Sequence, residues 1–364
     1  MRVRLIYNHI EHHAAHSGYD QLARHVNARP YEDGALYRLT KRIGSRRLAA
    51  MWSRRTPWYS TEAQRRELAI CAQAALQPLG TLFHWFYAEN DVRLCSQWRW
   101  RWNNRFVASF HQPPEFLEHH VEDKSYIRGL DAVVVMAQSQ VDYMCRFLPR
   151  DRVFVVPHGV DTDYWRPDPR TARRDAPTFL FVGTWMRDLE MAAATIRLCA
   201  ERGLPARFRM VVPEDRVRDL SSLPNTTVMT RIPDADLLHE YRSAHALFLP
   251  LTASTANNTA LEAMSCGTGI VSTNVGGAPE YVTEACATLV DPGDVDAAAR
   301  RLAQLCEAPT SAEAMGAAAR ENAMRFRWAS VGALQDEVYR RIMAGRGPDA
   351  GAVGGSEQDD APSR

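Results

Sequence analysis

The 364-residue sequence predicts an α/β protein built from two tandem doubly wound domains with a deep cleft between them. Three observations carry this. The chain is too long for one ordinary core and suits two domains. Short apolar runs alternate with longer helical patterns throughout, the signature of parallel sheets covered by helices. A Pro-rich, charged stretch at 157–177, "PHGVDTDYWRPDPRTARRDAP", divides these runs into two series and reads as an interdomain connection.

In the first series, "VRLIYNHI" (3–10) reads as a strand and "YDQLARHV" (19–26) as the helix after it. Further strands are expected at 81–87, 105–111, 131–137 and 152–157. The second series places strands at 178–184, 207–213, 226–230, 246–251 and 269–273, with helices between them. Phe326, Val331, Leu334, Val338 and Ile342 recur at helical spacing and predict a long amphipathic helix near the C-terminus. The domains are expected at 1–158, completed by that helix at about 329–344, and at 159–328. The Gly-, Asp-, Ser- and Pro-rich segment 345–364 has almost nothing to bury and is expected to be a disordered tail. In doubly wound folds ligands bind at the carboxyl ends of the strands, so an active site belongs in the cleft between the two sheets.

Hydrophobic residues make up 46% and charged residues 24%, a globular composition. No apolar run approaches the ~18 residues a spanning helix needs. The seven cysteines are scattered, with no C-x-x-C pair and no leader pattern ahead of them, which reads as a reduced, cytoplasmic protein. Net charge is +1 but unevenly divided: residues 1–160 hold 22 Lys or Arg against 15 Asp or Glu, which is +7, leaving −6 for the remainder. The basic half either meets an anionic partner or is a solvated basic face.

The stretch "LTASTANNTALEAMSCGTGIVSTNVGG" (251–277) holds the most chemistry. A helix starting near Thr259 would aim its unpaired N–H groups and positive dipole end at the preceding loop, so "TANN" can hold a phosphate. Asn257, Asn258 and Thr259 add side-chain donors. Glu262, one turn in, could accept two hydrogen bonds from a ribose diol, and together these features would read a nucleotide diphosphate. Thr259-x-x-Glu262 also fits a capping box, which would make the glutamate a helix cap.

In its wider setting, "LFLPLTASTANNTALEAMSCGTGIVSTNVGGAPEYV" resembles the donor-binding region of retaining glycosyltransferases of the GT-B fold, family 4 (glycosyl transferases group 1). That family has a strand ending in Pro, Glu-Ala-Met-x-x-Gly, a strand, and Gly-Gly-x-x-Glu. "VVPHGVDTDYWRP", "FLFVGT" and "FRW" before the last helix are similar to its interdomain signature, the opening strand of its second domain and its crossover helix. The resemblance implies two Rossmann-like domains and nucleotide-sugar binding by Gly18, Gly183, Thr184, Ser254, Thr255, Asn257, Asn258, Thr259 and Glu262. It departs at Ser254, eight positions before Glu262, where relatives usually carry a second glutamate that serves the donor sugar.

The resemblance also implies two catalytic residues. Arg187, in "GTWMRDLE", would neutralise the departing diphosphate with a bidentate guanidinium; a surface pair with Glu190 is the other reading. His111, in "ASFHQPPEF", would contact the donor sugar or handle the hydroxyl proton; a buried structural histidine is the alternative. His84 is ambiguous. The glycine-containing first loop of the family corresponds to "HSGYD", where Ser17-Gly18 replaces the usual Gly-Gly pair. His9, His12, His13 and His16 invite a zinc reading, but loop histidines without carboxylate partners rarely form one. "DTD" (161–163) looks like a metal-binding carboxylate pair placed where interdomain packing suits it better. No catalytic metal and no cofactor beyond the donor are expected.

The implied activity is retaining, metal-independent transfer of a hexosyl group from a UDP- or GDP-linked sugar to a hydroxyl of a carbohydrate, lipid or small metabolite. A nucleotide-sugar epimerase or phosphorylase-like enzyme and a non-catalytic nucleotide-sugar-binding protein are the competing readings that Ser254 allows. Residues 39–66 hold eight Lys or Arg against one acid, Glu62, with Trp52, Trp58 and Tyr59 interleaved. "WRWRW" (98–102) adds similar chemistry. This permits peripheral membrane contact at the inner face or an anionic acceptor, or is an exposed arginine-rich helix. No nucleic-acid motif accompanies the charge.

Overall fold

A computed structural model describes residues 2–7, 16–42, 59–77, 80–98, 100–121 and 123–348. The strands form two six-stranded sheets in which every paired neighbour runs parallel. The first holds β1 (Arg2–Ile6), β2 (Arg29–Pro30), β3 (Thr81–Trp85), β4 (Arg105–Phe110), β5 (Ala132–Val135) and β6 (Val153–Val155), ordered β2-β1-β3-β4-β5-β6. The second holds β7 (Thr178–Val182), β8 (Arg207–Val211), β9 (Thr226–Met229), β10 (Ala246–Leu249), β11 (Gly269–Thr273) and β12 (Ala287–Val290), ordered β12-β11-β10-β7-β8-β9. Central strands such as β3, β5, β7 and β10 are buried along their whole length. Their near-continuous apolar runs are what a sheet covered on both faces requires.

Each expected strand is present; β11 fills its expected run and the others are shorter, most of them losing the residues that turn into the loops of the cleft. Two strands were not foreseen. β2 has only two residues, and β12 is a half-buried edge strand without a strong alternating pattern. The helix expected at 19–26 is a short 3-10 segment, Tyr19–Arg24, entered from Gly18 at φ +104° with no side-chain cap. Glycine tolerates that positive φ, and no side chain caps the turn that follows.

The helices of eight residues or more among the described residues are α1 (Ala35–Arg42), α2 (Thr61–Leu76), α3 (Leu189–Glu201), α4 (Asp234–Ser243), α5 (Asn258–Ser265), α6 (Val295–Glu307), α7 (Pro309–Ala323) and α8 (Trp328–Met343). The last, α8, returns to the first domain. Its Trp328, Val331, Val338, Tyr339 and Ile342 pack with Val3, Leu5, Leu82 and Val134 of the first sheet. Buried His84 ties the two together, with Nδ1 2.7 Å from the Tyr339 hydroxyl and Nε2 2.8 Å from Ser109 Oγ. Burial depresses its pKa to about 3, so it is a neutral structural histidine. The chain therefore crosses between domains twice, and Val160 donates from its backbone to Phe326 O at 2.9 Å where the crossings meet. The start of the expected tail is tied down: Arg346 N donates to Arg341 O at 2.8 Å, and Arg341 Nη1 to Gly347 O at 3.1 Å. The rest of that segment, 349–364, lies outside the described residues.

Candidate active site

Strand order reverses between β1 and β3 in the first sheet and between β7 and β10 in the second. At such switch points the loops leaving adjacent strands diverge and open a crevice. Four loops supply most of the site: Ser17 and Gly18 after β1, Phe86–Asn90 after β3, Gly183–Arg187 after β7 and Thr252–Asn257 after β10. His111 and Gln112 follow β4. Between the sheets lies a cleft of about 750 Å³ lined by His111, Gly183, Thr184, Arg187, Ser254, Thr255, Asn257, Asn258 and Thr259, among others.

On the second-domain wall, α5 begins at Asn258 and is capped by Asn257, whose Oδ1 accepts from Ala260 N at 3.2 Å. The capping-box alternative is thereby overturned: Thr259 lies inside the helix, and Glu262 does not fold back to cap it. The first-turn amides of Asn258 and Thr259 are donors that no helical carbonyl can reach, and both residues line the cleft. Arg187 comes to the same place. Its Nη2 donates to Thr259 Oγ1 at 3.1 Å, its Nε to Val182 O at 3.1 Å and its Nη1 to Trp185 O at 2.8 Å. Burial lowers its pKa to about 10, with Tyr241 and Glu262 opposing the shift, so the guanidinium stays charged at neutral pH. The surface pair with Glu190 is not formed. Gly183 sits at φ +81°, and a side chain there would meet Arg187 Nη2 at 3.4 Å.

Glu262 is buried, 7% exposed, and lines a small side pocket with Ser17, Gly18, His158 and Asn258. Both its oxygens are engaged: Oε1 accepts a short bond from the Ser17 hydroxyl, and Oε2 accepts from Tyr241 at 2.9 Å. Burial pushes its carboxyl up to about 7 against the pull of those two bonds. Tyr241 was not picked out in the sequence, and Ser17 only as a departure from a Gly-Gly turn. A tyrosine 21 positions before the carboxylate gives no local signal.

Ser254 is 4% exposed, its Oγ 3.5 Å from Thr255 O and its own carbonyl accepting from Gly277 N at 2.8 Å. A Cβ on Gly276 would fall 2.1 Å from Ser254 O, and one on Gly277 2.5 Å from Thr255 O. The glycine pair of "NVGG" therefore lets the two backbones touch. Glu280, just beyond, accepts from Gln138 N at 2.6 Å and Ser139 N at 3.0 Å in the first domain. Tyr281 donates to Met136 O at 2.7 Å and accepts from His158 N at 2.9 Å.

His111 forms the facing wall. Its Nε2 donates to Phe86 O at 2.6 Å; a carbonyl can only accept, so that nitrogen carries the proton and Nδ1 keeps its lone pair. Burial lowers its pKa, with nearby Glu89 opposing, so the ring is neutral at neutral pH. Its backbone carbonyl accepts a short bond from Thr255 Oγ1, which couples the two walls directly. Glu89 and His158 also line the cleft and were not anticipated.

Asp161 of "DTD" caps Asp163 N and Tyr164 N and pairs with His16 Nδ1 at 2.9 Å, an interdomain packing role. His9, His12 and His13 lie outside the described residues, as do residues 43–58 of the basic segment. Among the described residues no group of three or more His, Cys, Asp or Glu is placed to hold a metal, and no helix is long and apolar enough to cross a membrane.

Residues 176–308 match the family model described as Glycosyl transferases group 1. The chain is 27% identical over 259 residues to the D-inositol 3-phosphate glycosyltransferase of Saccharomonospora viridis, covering 64% of this chain and 60% of that one. It is also 27% identical over 255 residues to the alpha-maltose-1-phosphate synthase of Mycolicibacterium smegmatis, covering 61% and 66%. The matched region thus spans about three fifths to two thirds of these curated relatives. Among solved structures, Anabaena Alr3699/HepE in complex with UDP and glucose superposes with a TM-score of 0.65 over 93% of this chain and 98% of that one, at 13% identity.

Proposed function

From a chain that belongs to the group 1 glycosyl transferases and has the GT-B fold, we infer an enzyme that moves a sugar from a nucleotide diphosphate sugar to an acceptor hydroxyl. The observation that carries this reading is the convergence, on one wall of the cleft, of the Arg187 guanidinium, the Thr259 hydroxyl and the first-turn amides of α5, with neutral His111 opposite. Donors fixed in advance stabilise charge where it develops, and here it develops on the leaving diphosphate. The sugar C1–O bond to phosphate breaks as the C1–O bond to the acceptor forms. In the retaining route proposed, attack comes from the face the diphosphate leaves, and the hydroxyl proton passes to the departing phosphate oxygen. No carboxylate nucleophile and no metal are required. His111 Nδ1 can accept a hydrogen bond from the acceptor or the sugar.

Glu262 is assigned the ribose. Its side pocket adjoins the α5 N-terminus, and a diol could take the place of the Ser17 hydroxyl. The donor is UDP- or GDP-linked; HepE, a structural neighbour, is bound to UDP and glucose. Incubation with UDP- and GDP-sugars, with and without acceptors, should release nucleotide diphosphate. No release from any donor would overturn the reading, and intact nucleotide binding in Glu262→Ala would overturn the ribose assignment.

Peripheral membrane contact through residues 39–66 is part of the same proposal. Nearby support comes from Trp100 and Trp102, 73% and 66% exposed, beside Leu76 at 71%. Large aromatic side chains left in solvent next to basic residues suit an anionic interface. Flotation with anionic liposomes should succeed at low salt and weaken at high salt; no flotation at either would refute it.

A further inference from the structure

The first-domain wall of the cleft differs in chemistry from the phosphate-binding wall. Tyr19, Tyr87, Glu89, Asn90, His111 and Gln112 line it, with one carboxylate and, among the described residues, no lysine or arginine. Glu89 is 4% exposed. Its Oε1 is pinned by His111 N at 2.6 Å and Gln112 N at 2.9 Å, while Oε2 has no hydrogen-bond partner among the described residues. Asn90 Oδ1 is buried and likewise without a partner. His111 keeps its Nδ1 lone pair because Nε2 is committed to Phe86 O. Three neighbouring atoms with unused acceptor capacity therefore stand beside the buried Tyr87 hydroxyl, which also has no hydrogen-bond partner among the described residues and can donate or accept, and what this set matches is a group of hydroxyls that both donate and accept.

Among the described residues this wall supplies no cation to pair with a phosphate. Arg187 lies opposite and is held by Val182, Trp185 and Thr259. Arg93, beneath the wall, donates from Nη1 to the carbonyls of Ala88 and Val92 and from Nη2 to that of Glu89, and its guanidinium lies against the Tyr126 ring. Fixing a carboxylate in a partly desolvated wall makes its repulsion of a second anion stronger than in water.

We propose that Glu89 and Asn90 determine acceptor specificity, and that the acceptor is an uncharged polyhydroxylated compound that does not present a phosphate to this wall. The inference rests on the glycosyl-transfer reading above. It separates this chain from a relative whose name carries a phosphorylated acceptor, D-inositol 3-phosphate.

The test uses the full chain, UDP- and GDP-sugar donors, and matched acceptor pairs: myo-inositol with D-inositol 3-phosphate, and glucose with glucose 1-phosphate. The neutral member should be preferred by roughly 10- to 100-fold in kcat/KM. Glu89→Gln keeps an oxygen for the two backbone amides and removes the charge, so that ratio should fall about tenfold. Asn90→Lys, which leaves Glu89 and its bonds in place, should shift the ratio in the same direction. A wild-type preference for the phosphorylated member, or a ratio that neither variant moves, overturns the proposal. Donor hydrolysis without transfer to any neutral member also overturns it while leaving donor chemistry standing. Absence of nucleotide release from every donor sinks the underlying reading instead.

Discussion

Glu262→Gln removes a titratable group while keeping the shape that Ser17 and Tyr241 contact, which makes its effect on pH dependence interpretable. In the unfolded chain Glu262 titrates near 4.5; in the fold burial raises it to about 7. Below pH 4.5 both states are protonated and burial carries no charge penalty. Between those values the unfolded chain is ionised while the fold keeps its proton, so the wild type loses stability as pH rises, and above 7 the whole penalty applies. At about 1.36 kcal/mol per pH unit the gap corresponds to about 3 kcal/mol. Urea titrations of both proteins from pH 4.5 to 8 should show the stability difference moving toward the variant by about that amount. A difference that stays flat, or moves the other way, would show that the carboxylate is ionised in the fold throughout. The same reasoning reaches binding. Ribose hydroxyls donate best to the ionised form, so UDP should bind more tightly as pH rises toward 7, and the variant should lose that component.

Arg187→Ala should lower kcat by about 10²–10³-fold, since it removes a fixed cation from the leaving group, and Arg187→Lys should restore only part of it; steady-state kinetics with saturating donor decide this. His111, whose pKa is lowered by burial, should leave activity level through neutral pH with an acid limb below 6.5, and that limb should vanish from the residual activity of His111→Gln. Glu280→Ala removes the acceptor of the Gln138 and Ser139 amides. Because that carboxylate is solvent-exposed the cost is about 1 kcal/mol. Small-angle scattering should report a more open average shape and kinetics a raised donor KM.

The parallel sheets were readable because β3, β5, β7 and β10 are covered on both faces, and such strands must be apolar along their length. β2 and β12 were not, since β2 is only two exposed residues long and β12 is a four-residue strand without an alternating pattern. The second-domain half of the site was legible in the spacing of Asn257, Asn258, Thr259 and Glu262, which a single helix start brings together. What escaped was what long-range packing sets, between domains for Ser17 and within the second domain for Tyr241. Ser17 and Tyr241 reach Glu262 from 245 and 21 positions away, and no local periodicity announces either. Glu89 went unnoticed for a related reason: in "FYAEND" it looks like an ordinary acid, and only the fold aligns it with the amides after β4.

The return of α8 to the first sheet has a consequence for synthesis. Trp328, Val331, Val338, Tyr339 and Ile342 complete a core whose other members, Val3, Leu5, Leu82 and Val134, are made first. While the ribosome is still translating, one face of that early sheet waits uncovered until residue 343 has emerged. The later domain, with residues 178–323 supplying its sheet and covering helices, can close before the earlier one is finished. A nascent chain stalled shortly before α8 is exposed should carry a protease-resistant second domain on a protease-sensitive first one.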